Sequence, residues 1–270
     1  MPLEIETRFS FYLEEPTHVL LQFEAAETPG QRVTESDTRL PVAQNCARVA
    51  AHEGIGERIW LRLHGECDIS YRASVAVERP APDFASLPAI AAHHIPAAAV
   101  EYVFDSRYCA ADRMESFVES EFSGLAGGAR ILAIRDWIAD KIEYVPGSST
   151  VYTTALDTFV ERKGICRDFA HVLIAFARAS GIPARYASCY APEVSPQDFH
   201  AVAEVFLQDN SDDNGGAWHM VDATRMADPT KTALIGVGRD AADVSFLTSF
   251  GAARFDGSQV TVLETRVRPV

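Results

Sequence analysis

Lys163-Gly164-Ile165-Cys166-Arg167-Asp168-Phe169-Ala170-His171, continued by Val172-Leu173-Ile174-Ala175-Phe176-Ala177-Arg178-Ala179-Ser180 and stopped by Gly181-Ile182-Pro183, carries the reading of the fold. Phe169, Val172, Leu173, Phe176 and Ala177 recur at spacings of three and four, which predicts a helix over 166–179 with one apolar face. Gly181 and Pro183 are its stop signals. Cys166 stands at the first position, where backbone amides lack intrahelical partners and the macrodipole is positive. Both features favour an anionic sulfur. The same amides would point at an oxyanion forming on any carbonyl that the sulfur attacks. One position thus offers a nucleophile and part of its transition-state support, although a lone cysteine can equally be a buried structural thiol.

Upstream, Ile131, Ile134, Ile138 and Ile142, with Trp137 alongside, form another stripe of helical period that ends before Pro146. A shorter helix is expected over 155–162, stopped by Gly164. Downstream, strands are expected at 184–190, 200–208, 217–224 and 259–267. Helices followed by antiparallel strands, rather than strict alternation, give the class α+β. The first eighty residues alternate apolar and polar over short runs, such as Arg58-Ile59-Trp60-Leu61-Arg62-Leu63 and Ile69-Ser70-Tyr71-Arg72-Ala73-Ser74-Val75, and read as strand-rich. Pro80, Pro82, Pro88 and Pro96 among alanines resist helix and central strand alike. The expected organisation is a strand-rich domain over 1–80, a proline-rich linker over 81–96 and a second domain over 97–270.

A thiol nucleophile needs a base. His171 lies five residues beyond Cys166, roughly 140° around the helix, and so reads as a surface or core histidine. His200 opens the run His200-Ala201-Val202-Ala203-Glu204-Val205-Phe206 after the turn-forming Pro196-Gln197-Asp198, at the mouth of a strand. The next run, Trp218-His219-Met220-Val221-Asp222-Ala223-Thr224, follows a polar segment over 209–216, so the two form a hairpin. With His200 opposite Asp222, the hairpin folds about residue 211, inside the polar segment. Residues 200, 202 and 204 share one face, as do 218, 220 and 222, so the carboxylate can orient the imidazole. Cys166, His200 and Asp222 then take the roles of thiolate, acid/base and orienter.

Gly164 to His171, Gly181-Ile182-Pro183-Ala184-Arg185-Tyr186, Asp198-Phe199-His200-Ala201 and Trp218 to Thr224 together resemble the transglutaminase-like domain of bacterial proteins. Ser106-Arg107-Tyr108-Cys109, the Asp136-Trp137-Ile138 helix with Tyr144, and Gly238-Arg239-Asp240-Ala241-Ala242-Asp243 resemble the branch with a strand-rich N-terminal region, extending the likeness over most of the chain. The resemblance implies a papain-like transglutaminase core of helices plus antiparallel sheet, preceded by an all-β, sandwich-like domain. It matches Cys166, His200 and Asp222 to the family's catalytic positions. It further implies a thiol-dependent hydrolase or acyltransferase that acts on peptide or glutamine-like amides through an acyl-thioester, with water or an amine co-substrate as acceptor. The alternatives are a cysteine peptidase of narrow specificity and a non-catalytic binding or scaffolding module. Tyr144 and the polar Ser148-Ser149-Thr150 are both candidates for a second oxyanion donor.

Composition sets outer bounds. A chain of 270 residues, 47% hydrophobic, can bury a full core. A formal charge of −14, from 24 basic against 38 acidic residues, disfavours nucleic acid as a partner. The opening Met-Pro-Leu-Glu-Ile-Glu lacks a basic end with an apolar stretch, and no apolar run approaches the roughly 20 residues that span a bilayer, so a cytoplasmic protein without a membrane partner is expected. Five cysteines with no close pair argue against a disulfide framework and a Cys-x-x-Cys site, and Cys109 and Cys189 read as packed thiols. Asp209, Ser211 and Asp213 mimic a calcium loop, but Met220 stands where the bidentate glutamate belongs. His93-His94 has no companion ligands nearby. Neither metal nor cofactor is expected. Arg239, Asp240 and Asp243 read either as cleft lining or as an ion-paired turn.

Overall fold

The computed structural model describes residues 2–208 and 215–265. The alternating pattern of the N-terminal region resolves into two strands far longer than its short runs suggest. These are β1 (Pro2–Leu21) and β4 (Glu57–Val77), with β2 (Gln31–Arg39) and β3 (Cys46–Ala50) between them. β1 and β4 pair antiparallel along nearly their whole length, with a register break between Leu13 and Thr17. At that break Glu14, Glu15 and Pro16 of β1 stand against His64 alone, a bulge that locally disrupts the ladder. Every second residue of β1, from Leu3 through Leu13, is buried on one face.

A short helical turn, α1 (Ala97–Val100), follows, and then α2 (Glu115–Glu121) and α3 (Gly127–Lys141). The chain continues through β5 (Glu143–Tyr144), α4 (Ala155–Glu161), β6 (Lys163–Gly164) and α5 (Cys166–Ala179). β7 (Ala184–Tyr190), β8 (His200–Gln208), β9 (Gly216–Val221) and β10 (Ala233–Gly238) form an antiparallel sheet in the order β10-β7-β8-β9. One face of that sheet packs on α5, and α3 and α4 lie against α5 as well. Consequently Asp168 through Arg178 are all buried. The expected single apolar face of this helix is corrected to burial all round. The buried Arg178 is accommodated because its guanidinium donates to four acceptors: the carbonyls of Ala184, Phe104 and Arg239 and the Ser106 hydroxyl, at 2.6–3.0 Å.

The last two strands, β11 (Leu247–Ser249) and β12 (Ala253–Glu264), return to β1 and complete a six-stranded sheet assembled from both ends of the chain. The strand expected at 259–267 is the end of β12, which begins earlier, at Ala253; residues 266–270 lie outside the described residues. The inner face of this sheet packs on the second sheet, so that Phe9, Phe23 and Tyr71 share a core with Tyr190, Ala233 and Ile235. The buried Tyr190 hydroxyl donates to the Phe23 carbonyl at 2.7 Å and ties the two sheets together. Among the described residues no helix is long and apolar enough to cross a membrane.

Candidate active site

The entry into α5 is fixed before Cys166 is reached. β6 pairs in parallel with β5, aligning Gly164 with Tyr144. The fully buried Asp168 carboxylate accepts the Ile165 N–H at 2.9 Å, which is the returning half of a capping box; the isoleucine side chain has no acceptor with which to complete it. Asp168 also holds Arg167 at 2.9 Å, and Arg167 in turn donates to the Thr150 carbonyl at 2.8 Å. Gly164 has to be glycine here, because a Cβ would lie 2.8 Å from the Asp168 Cβ and 3.2 Å from Thr158 Cγ2. Cys166 is half-buried at the first turn, whereas Cys67, Cys109 and Cys189 are buried. Burial pushes the Cys67 thiol up, the Cys109 thiol up to about 12, and the Cys189 thiol well above its usual range.

β8 and β9 form the expected hairpin, but its register differs from the sequence reading by two residues. Ala203 pairs with Val221 and Gln208 with Gly216, so Asp222 is not directly opposite His200. Residues 209–214, which hold the polar turn and its calcium-loop mimic, lie outside the described residues. A shift of two keeps every side chain on its face. Asp222 follows the last residue of β9 and reaches back diagonally, so that His200 Nε2 and Asp222 Oδ2 are 3.0 Å apart. Both side chains are almost wholly buried.

The Asp222 carboxylate gathers further donors that no sequence pattern announces. The Thr224 N–H and hydroxyl donate at 2.8 Å, and the N–H groups of Met226 and Ala227 at 3.0 and 2.7 Å. Burial works to raise this carboxyl, but the bonds from His200 and Thr224 outweigh it and hold the carboxyl below its ordinary value. Burial likewise works to depress His200, while the Asp222 carboxylate and the Cys166 sulfur overcome it and lift the imidazole to about 10. His200 Nδ1 makes no hydrogen bond among the described residues, and the Cys166 sulfur acts on the imidazole through its charge. The structure therefore brings Cys166, His200 and Asp222 into one cluster, with the carboxylate on Nε2 of the ring and the sulfur close enough to raise the imidazole.

Tyr144 joins the cluster. Its phenol lies near enough to Cys166 for each to act on the other electrostatically, and its ring rests on Phe169 at 5.8 Å. Burial first, then negative charge at Cys166, pushes the phenol up to about 12, so it is a donor throughout the physiological range. Of the other oxyanion candidates, the Ser149 hydroxyl is buried without a partner among the described residues. His171 stays apart as a core residue: it stacks on Tyr108 at 5.1 Å, its Nε2 accepts the Ala241 N–H at 3.2 Å, and burial lowers it to about 3. Arg239 and Asp243 form an ion-paired turn at 2.9 Å, and Asp240 accepts the Tyr108 N–H at 2.9 Å, so these residues hold structure together. His52, Glu53 and Glu101 bring ligand-type atoms within 4.8 Å of one another, but Glu53 already pairs with Arg185 at 2.6 Å and accepts the Tyr102 hydroxyl.

Residues 111–223, which contain all three residues of the cluster, match the family model of the transglutaminase-like superfamily. A candidate cysteine protease from Cytophaga hutchinsonii, known from a crystal structure, is 30% identical; the superposition has a TM-score of 0.90 and covers 100% of this chain and 93% of that one. A protein of Mycobacterium leprae without an assigned function is 30% identical over 129 residues, a stretch spanning 46% of this chain and 45% of that protein. With the family model matching the stretch that holds the cluster and a relative at this identity covering the whole of this chain, the chain belongs to the transglutaminase-like superfamily.

Proposed function

We propose that the protein is a cysteine hydrolase or acyltransferase acting on peptide or glutamine-like amides, with Cys166 as nucleophile, His200 as acid/base and Asp222 as the residue that orients and charges His200. The observation that supports this most strongly is the buried Asp222–His200 pair at 3.0 Å, whose imidazole is also raised by the sulfur at the start of α5. In this reading the Cys166 thiolate attacks the amide carbonyl, and the carbonyl oxygen becomes an oxyanion facing the Cys166 N–H. Tyr144, whose phenol stays protonated and senses the charge at Cys166, supplies the second donor. His200, held charged by Asp222, gives its proton to the leaving amine as the C–N bond breaks and the acyl-thioester forms. Water or an amine then attacks the thioester, His200 takes up its proton, and the sulfur leaves as the thiolate.

Peptide and small-amide libraries, incubated with and without a primary amine, test the proposal and separate its two outcomes. Release of free acid marks a hydrolase; incorporation of the amine marks a transferase. Loss of both in Cys166→Ala is expected. Turnover that persists in Cys166→Ala would remove the proposal.

A further inference from the structure

We infer that the cavity walled by segment 79–87 and β9 is a binding site for a small monocarboxylate with an apolar body, separate from the reacting atoms at Cys166. The cavity has a volume of about 950 Å3, the size of a small-molecule site. Asp222 and Ala227 line it, but Cys166, His200 and Tyr144 do not, so an occupant leaves the nucleophile uncovered. Phe84 of the proline-rich stretch, Leu132 of α3, and Trp218 and Met220 of β9 give it apolar walls.

Arg79 supplies the recognition. Its Nη1 donates to the carbonyls of Pro229 and Thr232, at 2.5 and 2.9 Å. That leaves Nε and Nη2, the side-on edge of the guanidinium, without an acceptor among the described residues, and neither atom is sealed in protein. Two parallel N–H donors in this arrangement match the two oxygens of a carboxylate.

The charges around the cavity point the same way. Every other arginine on its wall already holds a carboxylate: Arg185 pairs with Glu53 at 2.6 Å and Glu204 at 2.7 Å, and Arg135 and Arg225 share Asp136 at 2.7 and 2.8 Å. Of the remaining acids on the wall, Asp222 takes up His200, and Asp228 caps the turn after it by accepting the Thr230 N–H at 2.9 Å and hydroxyl at 2.8 Å. Arg79 is thus the wall arginine that lacks an ion pair among the described residues. Burial lowers it from its ordinary value, a penalty that a bound anion relieves. Glu204 lies near enough to act on Arg79 and would repel a second negative charge, which selects a monoanion over a dianion such as phosphate.

Isothermal titration of the whole protein with octanoate tests the inference, with butanoate and octan-1-ol as references. Octanoate should saturate at one per chain and bind at least about tenfold more tightly than butanoate, which lacks most of the apolar chain. It should exceed octan-1-ol, which lacks the carboxylate, by at least about tenfold as well. Equal affinity for the alcohol overturns the role of Arg79, and absence of saturable octanoate binding overturns the site. Arg79→Lys keeps the charge but loses the paired donors; it should weaken octanoate at least about tenfold, and parent-like affinity would contradict the inference. Photo-crosslinking the parent protein with an octanoate that carries a terminal diazirine reads the location without any substitution. Adducts are expected on the cavity wall, within 79–87 or β9. Adducts confined to Cys166 and its neighbours would make octanoate a ligand of the reacting site and would overturn the inference.

Discussion

Replacing Asp222 by asparagine probes the cluster where structural and catalytic roles overlap. The carboxylate accepts from His200, from the N–H and hydroxyl of Thr224, and from the N–H groups of Met226 and Ala227. An amide cannot serve all of them, because its NH2 faces an N–H whichever way it turns. The milder orientation puts the NH2 toward Thr224, whose hydroxyl can rotate to accept, and leaves the Thr224 N–H without a partner. One orphaned buried donor costs about 1–3 kcal/mol, so Asp222→Asn should melt lower than the parent. Stability by itself therefore does not separate the roles.

The pH dependence does separate them. His200 is raised from 6.5 to about 10, so its stabilising charge is fully present below 6.5 and lost as pH rises through about 10. The parent's acylation rate should fall along the same alkaline limb. In Asp222→Asn the carboxylate that supports the imidazolium is gone. The limb should move to lower pH and the plateau should drop at least about tenfold, a transition-state loss of about 1.4 kcal/mol. Single-turnover acylation from neutral to strongly alkaline pH, with thermal unfolding of the same preparation, measures both effects. A variant that melts lower yet keeps the parent's rate and alkaline limb would show that Asp222 only caps the turn, and would refute the reasoning.

Gly164→Ala should destabilise the protein by about 1–3 kcal/mol and slow acylation, because the added Cβ displaces Asp168 from the Ile165 N–H and with it the start of α5; a melting temperature and rate equal to the parent's would contradict this. Iodoacetamide near pH 6 should modify Cys166 ahead of the exposed Cys46 and leave Cys67, Cys109 and Cys189 intact; peptide mapping reads the order. Burial keeps His171 neutral and lowers it to about 3, so its contribution is complete above 6.5 and is lost as pH falls toward 3, at up to about 1.4 kcal/mol per pH unit. His171→Gln should flatten the acid slope of the melting temperature, and an unchanged slope would assign the acid lability elsewhere.

Legibility in the sequence followed the range of the interactions. The bounds of α5, β7 and β8 were readable because unbroken periodicity is punctuated there by Gly181, Pro183 and the 196–198 turn. The contact between His200 and Asp222 survived a register error of two because strand faces repeat every two residues. Burial of α5 on all sides was not readable, since it depends on helices α3 and α4 that meet it only in the folded chain. β10 was missed because Gly236 and Gly238 weaken its strand signal. Their reason lies far off in sequence: a Cβ on Gly236 would come within 2.0 Å of Gln22 Nε2. The pairing of β12 with β1 joins the two ends of the chain, which no local pattern encodes. The backbone donors of Met226 and Ala227 to Asp222 carry no residue-type signature at all.

The central claim is a covalent acyl-thioester on Cys166. Rapid quenching of the protein with an activated peptide ester, followed by intact mass and peptide mapping, tests it most directly. The account predicts one acyl adduct per chain, located on Cys166, formed faster than product is released and absent from Cys166→Ala. Turnover without an adduct, or an adduct on any other residue that persists in Cys166→Ala, would contradict it.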